Sequence, residues 1–141
     1  MISPSDLIIY ARNLYTPTAK EIALRSGISR AYYGAYHYCL DVANRWCDEV
    51  PPEEMKKSAG LFGVHARLYV RMEKYCREAN FSESIRFMAQ RAKTLRNERN
   101  IADYKLGEDV GPKQITTALS IASEIQVEYN KLISDATSTP D

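Results

Sequence analysis

Long hydrophobic runs are missing from this chain: nothing in it approaches the roughly 18 to 20 apolar residues that a membrane-spanning helix needs. No membrane partner is therefore expected. At the amino terminus, Leu7-Ile8-Ile9 is too short to form the apolar core of a secretory leader, so the expected location is the cytoplasm. Cysteine is scarce, with three residues. Cys39 and Cys47 would lie about 12 Å apart on one helix, too far for a disulfide, and reduced packing residues are expected. Their spacing fits no zinc pattern, and His37 and His65 are the only imidazoles available to join them. Neither a metal nor another cofactor is expected. Charge of one sign is missing too. A net charge of +1 excludes a protein that coats nucleic acid by bulk electrostatics, which requires many lysines and arginines to neutralise phosphates. Any nucleic-acid site must be local. Strand-type alternation, internal repeats and long linkers are also lacking.

What is present is helix signal over 141 residues, a length suited to one domain, with 45% hydrophobic and 26% charged residues. Ser3 can cap a first helix with Pro4 at its first position; Leu7, Ala11 and Leu14 form its apolar edge, and Pro17 ends it. Thr18-Ala19-Lys20-Glu21 has the spacing of a capping box and predicts a second helix from there to about Glu49, stopped by Pro51-Pro52. Ile28, Tyr32, Ala35, Cys39, Val42 and Trp46 form its seam. Arg30, Tyr33, His37, Asp41 and Asn44 make a second stripe beside it, so both faces are expected to be occupied. Gly27 and Gly34 lower helix propensity and point to a bend or a close backbone contact.

Residues 51 to 63 read as a loop. A third helix follows from Val64 to Ala79 with Leu68, Met72 and Cys76 inward, then a break at Asn80 and Phe81. Ser82 can cap a fourth helix running to about Tyr104, and Lys105 to Gly111 form a turn. Pro112 starts the last helix, with Ile115, Leu119, Ala122, Ile125, Tyr129 and Leu132 as its stripe. The expected architecture is an all-α, up-and-down bundle of four to five helices. It forms a single domain over residues 1–135, with residues 136–141 as a disordered tail.

The fourth helix carries the anomaly. Ile85, Met88, Ala92 and Leu95 set up a seam whose next positions are Arg99 and Ala102. A guanidinium at an apolar position must find a carboxylate, a carbonyl or a phosphate, because it cannot lose its proton. Arg96 lies one turn before it and Asp103 one turn after. Two like charges one turn apart are easiest to understand with an anion between them, although an ordinary Arg99–Asp103 ion pair is the plain alternative. Arg30 could tie the second helix to Asp103. Arg86, Arg91 and Lys93 add to the basic content of the fourth helix, while Arg67, Arg71 and Lys74 read as a solvated face balanced by Glu73 and Glu78. Tyr32, Tyr33 and Tyr36 could stack bases or fill the core.

Ser29-Arg30-Ala31-Tyr32-Tyr33-Gly34-Ala35-Tyr36-His37, taken with Arg99-Asn100-Ile101-Ala102-Asp103-Tyr104, resembles a HEPN (higher eukaryote and prokaryote nucleotide-binding) domain. The resemblance runs from about Leu7 to Leu132. It implies a HEPN-like bundle that forms a homodimer, bringing two copies of an arginine-centred motif together. Active members of the family are metal-independent ribonucleases of toxin–antitoxin and antiviral defence systems. Their motif is an arginine followed by a polar residue, with a histidine four to six residues after the arginine. Arg96-Asn97 and Arg99-Asn100 match its first half. The histidine position is filled by Asp103, counted from Arg96, or by Tyr104, counted from Arg99.

RNA cleavage without metal needs a base for the 2′-hydroxyl, charge stabilisation at phosphorus and an acid for the leaving oxygen. Arginine suits the middle task. An imidazole with pKa near 6.5 suits the proton transfers better than a tyrosine near 10 or an aspartate near 4, and a missing general acid or base lowers rates by roughly 100- to 10,000-fold. His37 could supply the imidazole if the second helix presents it to Arg99. The candidate catalytic set is thus Arg96, Arg99, Asp103, Tyr104 and His37, with Arg96, Asn97, Arg99, Asn100 and Arg30 as phosphate or nucleic-acid ligands. Two functions stay open: an RNA-directed effector, or a non-catalytic module holding RNA, a nucleotide or a nucleotidyltransferase-like protein partner, with Tyr104 a candidate site of modification.

Overall fold

The computed structural model describes residues 1–51, 53, 63–78 and 82–137. Within them the chain is an all-helical bundle: α1 (Pro4–Leu14), α2 (Glu21–Trp46), α3 (Val64–Glu78), α4 (Glu83–Tyr104) and α5 (Pro112–Thr137), with no strand among the described residues. No helix among these residues is long and apolar enough to cross a membrane. Of the loop expected over residues 51–63, residues 52 and 54–62 lie outside the described residues, as do the break at Asn80 and Phe81, Ala79 and residues 138–141. Helix α5 runs on to Thr137, two residues into the stretch expected to be a tail.

Helix α1 begins as the sequence predicts. Ser3 Oγ accepts from the Asp6 amide and Asp6 Oδ2 accepts from the Ser3 amide at 2.7 Å, a reciprocal cap that satisfies two otherwise orphaned donors. The expected box at Thr18–Glu21 does not form. Lys20 is the N-cap and offers no side-chain bond. The Glu21 carboxylate instead accepts from Arg25 at 3.0 Å and from the Val110 amide at 2.9 Å. An i,i+4 partner in the same helix and one tertiary donor, the Val110 amide, thus take the carboxylate that a local cap would have used. At its other end α2 stops at Trp46 rather than Glu49, and Arg71 of α3 donates to the carbonyls of Ala43 and Cys47 at 3.1 and 2.7 Å. These carbonyls lie at the C-terminal end of the helix, where that of Ala43 also accepts from the Cys47 amide, and a cation is favoured there. Arg71 is therefore a cap between helices and not part of a purely solvated face.

Helix α2 is the axis of the bundle and packs against each of the other four. Its seam is buried from Ile28 through Val42, with Trp46 half-buried. The second stripe is not covered along its length: Arg30, His37 and Asn44 are exposed, Tyr33 and Asp41 half-buried. The glycines mark a close contact. A Cβ on Gly34 would stand 2.9 Å from the Pro4 carbonyl oxygen, and one on Gly27 would stand 3.3 Å from that of Ala11. Glycine thus lets α1 lie directly on the α2 backbone. Cys39, Cys47 and Cys76 are free and buried, as the sequence predicts, and burial pushes each thiol's pKa up.

Candidate functional site

Periodicity carries Arg99 inward. Ile85, Met88, Ala92, Leu95 and Ala102 are all buried on α4, and Arg99 shares their face at 6% exposure. Three tyrosines surround its guanidinium, whose central carbon lies 5.0 Å from the ring centroid of Tyr32 and 5.7 Å from those of Tyr33 and Tyr104. Ring faces attract a desolvated cation but do not neutralise it. The polar partners are distant: Nη1 donates to Tyr104 Oη at 3.4 Å, and Asp103 Oδ2 stands 3.7 Å away. A close arginine–carboxylate pair would sit at about 2.7–2.9 Å. Asp103 is held off by α2, where Ser29 Oγ donates to the same carboxylate oxygen at 3.1 Å. Nε of Arg99 is buried without a partner.

Arg25 shows what a satisfied arginine looks like in this bundle. It is equally buried at 6%, yet it donates to Glu21 and to the carbonyls of Ile101, Ala102, Lys105 and Leu106, and also to that of Glu108. Those acceptors form the C-terminal end of α4 and the turn beyond it, so Arg25 clamps the stretch that carries Asp103 and Tyr104. No motif pointed to it. Its one sequence signal is its place on the inward face of α2, four and seven residues before Ser29 and Tyr32.

Arg96 is half-buried, and its Nε also lacks a partner. Its guanidinium reaches toward the start of α3, where Nη2 lies 3.8 Å from the place a Cβ on Gly63 would take. Of the other basic residues on α4, Arg91 pairs with Glu124 at 2.7 Å and Lys93 with Glu73 at 2.8 Å, so their charges are answered by neighbouring helices. Asn97 is exposed and Asn100 half-buried. Arg30 does not tie α2 to Asp103; it is exposed and stacks over Tyr33 at 5.3 Å, and Ser29 makes that connection instead. His37 is exposed with its ring edge-on to Tyr36, beside Ile2, Pro4 and Asp41. Tyr104, at 72%, is the exposed rim of the site.

The imidazole that packs on the Arg99 cluster is His65, at the second residue of α3. Its ring lies 4.2 Å from that of Tyr36, 5.4 Å from Tyr32 and 5.9 Å from Tyr33. Tyr32 Oη is 2.6 Å from His65 Nδ1 and 2.8 Å from Tyr69 Oη, which makes a three-member chain across α2 and α3. Burial, then the charges of Arg99, Arg96 and His37, hold the His65 pKa below the usual histidine range. Burial pushes Tyr32 up to about 12 and raises Tyr69 as well, so both hydroxyls keep their protons at neutral pH. On sequence alone, His65 stands out only as an imidazole that could join a zinc site. The available signal was its spacing of four from Tyr69, which places both on one face of α3. Among the described residues no cluster could hold a metal. Tyr32 is fully buried, so its face serves the core and Arg99.

No family model, curated protein or solved structure matches this chain.

Proposed function

We propose that this chain is a HEPN-like, RNA-directed helical module that grips phosphate through Arg99 and Arg96. The carrying observation is the condition of Arg99: a guanidinium 6% exposed, with Nε unpartnered and its carboxylate at 3.7 Å. A phosphate suits that guanidinium, because it accepts paired N–H bonds and brings the charge that Asp103 supplies from a distance. Arg96, one turn away, adds a second cation that gains from the same anion. The long bond to the Tyr104 phenol, a neutral acceptor, is weak, and an anion would displace it readily. The Ser29–His37 and Arg99–Tyr104 segments support the HEPN-like reading. With it come a homodimer, a role in defence or toxin–antitoxin systems, and metal-independent cleavage in which Arg99 stabilises charge on phosphorus.

A specific observation favours a second reading, a non-catalytic module holding RNA, a nucleotide or a nucleotidyltransferase-like partner. The Asp103 carboxylate accepts from Ser29 and faces Arg99 with the same oxygen, so it does not stand ready as a proton carrier. One experiment addresses both readings. A labelled single-stranded oligoribonucleotide is incubated with the protein in chelator and followed by anisotropy and by gel. Binding that weakens at least tenfold in Arg99→Met supports the phosphate site. Cleavage products then assign a ribonuclease, and intact RNA a binding module. Equal binding by both proteins overturns the proposal.

A further inference from the structure

His65 and Arg99 share the same two rings. The imidazole lies 5.4 and 5.9 Å from the centroids of Tyr32 and Tyr33, and the guanidinium carbon 5.0 and 5.7 Å from them. Arg96 extends to Gly63, two residues before His65. One imidazole nitrogen is engaged: Nδ1 pairs with Tyr32 Oη, which pairs with Tyr69 Oη. A tyrosine hydroxyl can donate or accept, so this chain accommodates either the neutral ring or the protonated one. Nε2 has no hydrogen-bond partner among the described residues. Among the described residues, the titratable and charged groups around the ring are Tyr32, Tyr33, Tyr36 and His37 from α2, Arg96 and Arg99 from α4, and Tyr69 on α3 itself. Asp103 reaches this group through Arg99.

We infer that His65 is the third arm of the Arg96–Arg99 site, and that a tetrahedral oxyanion bound there is accompanied by a proton taken from solvent onto the His65 imidazole. This rests on the phosphate reading above. In the free protein burial and the two guanidinia disfavour the protonated ring. An anion between the arginines offsets their charge, and the ring then gains by protonating and presenting Nε2–H to the ligand. The Tyr32–Tyr69 pair holds Nδ1 and so orients the ring in both states. Binding therefore takes up a proton, and by linkage oxyanion affinity rises as pH falls from the bound-state pKa of His65 to its free-state pKa. The ligand chemistry is a phosphoryl group, supplied either by a diester of an RNA chain or by a free terminal phosphate.

The test uses sulfate, a tetrahedral dianion that does not titrate between pH 5 and 8, at constant ionic strength set with chloride. Histidine imidazole signals of the full chain are followed by NMR against pH, with and without sulfate, and the His65 signal is assigned as the one that persists in His37→Gln and is lost in His65→Gln. The expected result is a His65 midpoint that moves up by at least one unit in sulfate, with sulfate binding at least tenfold tighter at pH 5 than at pH 8. In His65→Gln, which should still bind at pH 8, that pH dependence should flatten. The wild-type titration alone decides the case if the variant misfolds. Arg99-dependent sulfate binding with an unmoved His65 midpoint overturns the inference and leaves the phosphate site standing. Absence of Arg99-dependent binding of both sulfate and an oligoribonucleotide overturns the two together. Repeating the titration with RNA oligonucleotides bearing or lacking a terminal phosphate separates the sources: a midpoint shift with both assigns the diester, and a shift confined to the first assigns the terminal group.

Discussion

Arg99→Met removes a buried charge while keeping a long, flexible side chain in its place. What is lost is the ion pair to Asp103, which at 3.7 Å and with its carboxylate 27% exposed is worth about 0.5–1 kcal/mol. The attraction to three tyrosine rings adds about 1–2 kcal/mol. What is gained is relief of an unpartnered buried Nε, about 1–3 kcal/mol, and of the wider penalty for burying a guanidinium. Asp103 keeps its bond from Ser29 and some access to water, so no orphaned charge is created. The expected change in stability lies between zero and about 2 kcal/mol in favour of the variant, or a rise in Tm of up to about 6 °C for a domain of this size. Arg25→Met is the control. It strips donors from several carbonyls at the end of α4 and should destabilise by about 3 kcal/mol. Urea and thermal unfolding followed by circular dichroism would measure both. An Arg99→Met protein destabilised as much as Arg25→Met would refute the reasoning, because Arg99 would then be a structural brace rather than a guanidinium kept for a ligand.

Gly34→Ala should destabilise by about 1–2 kcal/mol in spite of alanine's better helix propensity, since its Cβ would press on the Pro4 carbonyl oxygen; a urea midpoint at or above the wild-type value would contradict the close packing of α1. Tyr32→Phe leaves the buried Tyr69 hydroxyl without its partner and should lower stability by about 1–2 kcal/mol, read by chemical unfolding. The lowered folded-state pKa of His65 means that, below about pH 6.5, the unfolded chain binds the proton first, so stability falls as pH drops from there toward the folded-state value. His65→Gln should remove that part of the slope, and an unchanged profile in unfolding curves between pH 5 and 8 would count against it.

The agreement between sequence and structure follows particular local signals. Ser3 with Pro4, Ser82, and Pro112 start α1, α4 and α5 where their chemistry predicts, since a cap or a proline acts within one turn. The apolar periods of α2, α4 and α5 identify their buried faces, and the same count puts Arg99 inside. Two disagreements involve partners from elsewhere in the chain: the Glu21 carboxylate accepts from the Val110 amide as well as from Arg25 of its own helix, and Arg71 leaves the solvated face for the end of α2.

Helix period is a property of the backbone, set by bonds four residues apart, so the sequence by itself determined that this is a bundle of helices and that one guanidinium lies in its core. The relative rotation and sliding of two helices are set by which side chains meet, and nothing local encodes them. That is why the tertiary structure alone decided that Ser29 rather than Arg30 meets Asp103, and that the imidazole packed on the Arg99 cluster comes from His65 of α3. It is also why one buried arginine is saturated by carbonyls while the other keeps an unpartnered Nε.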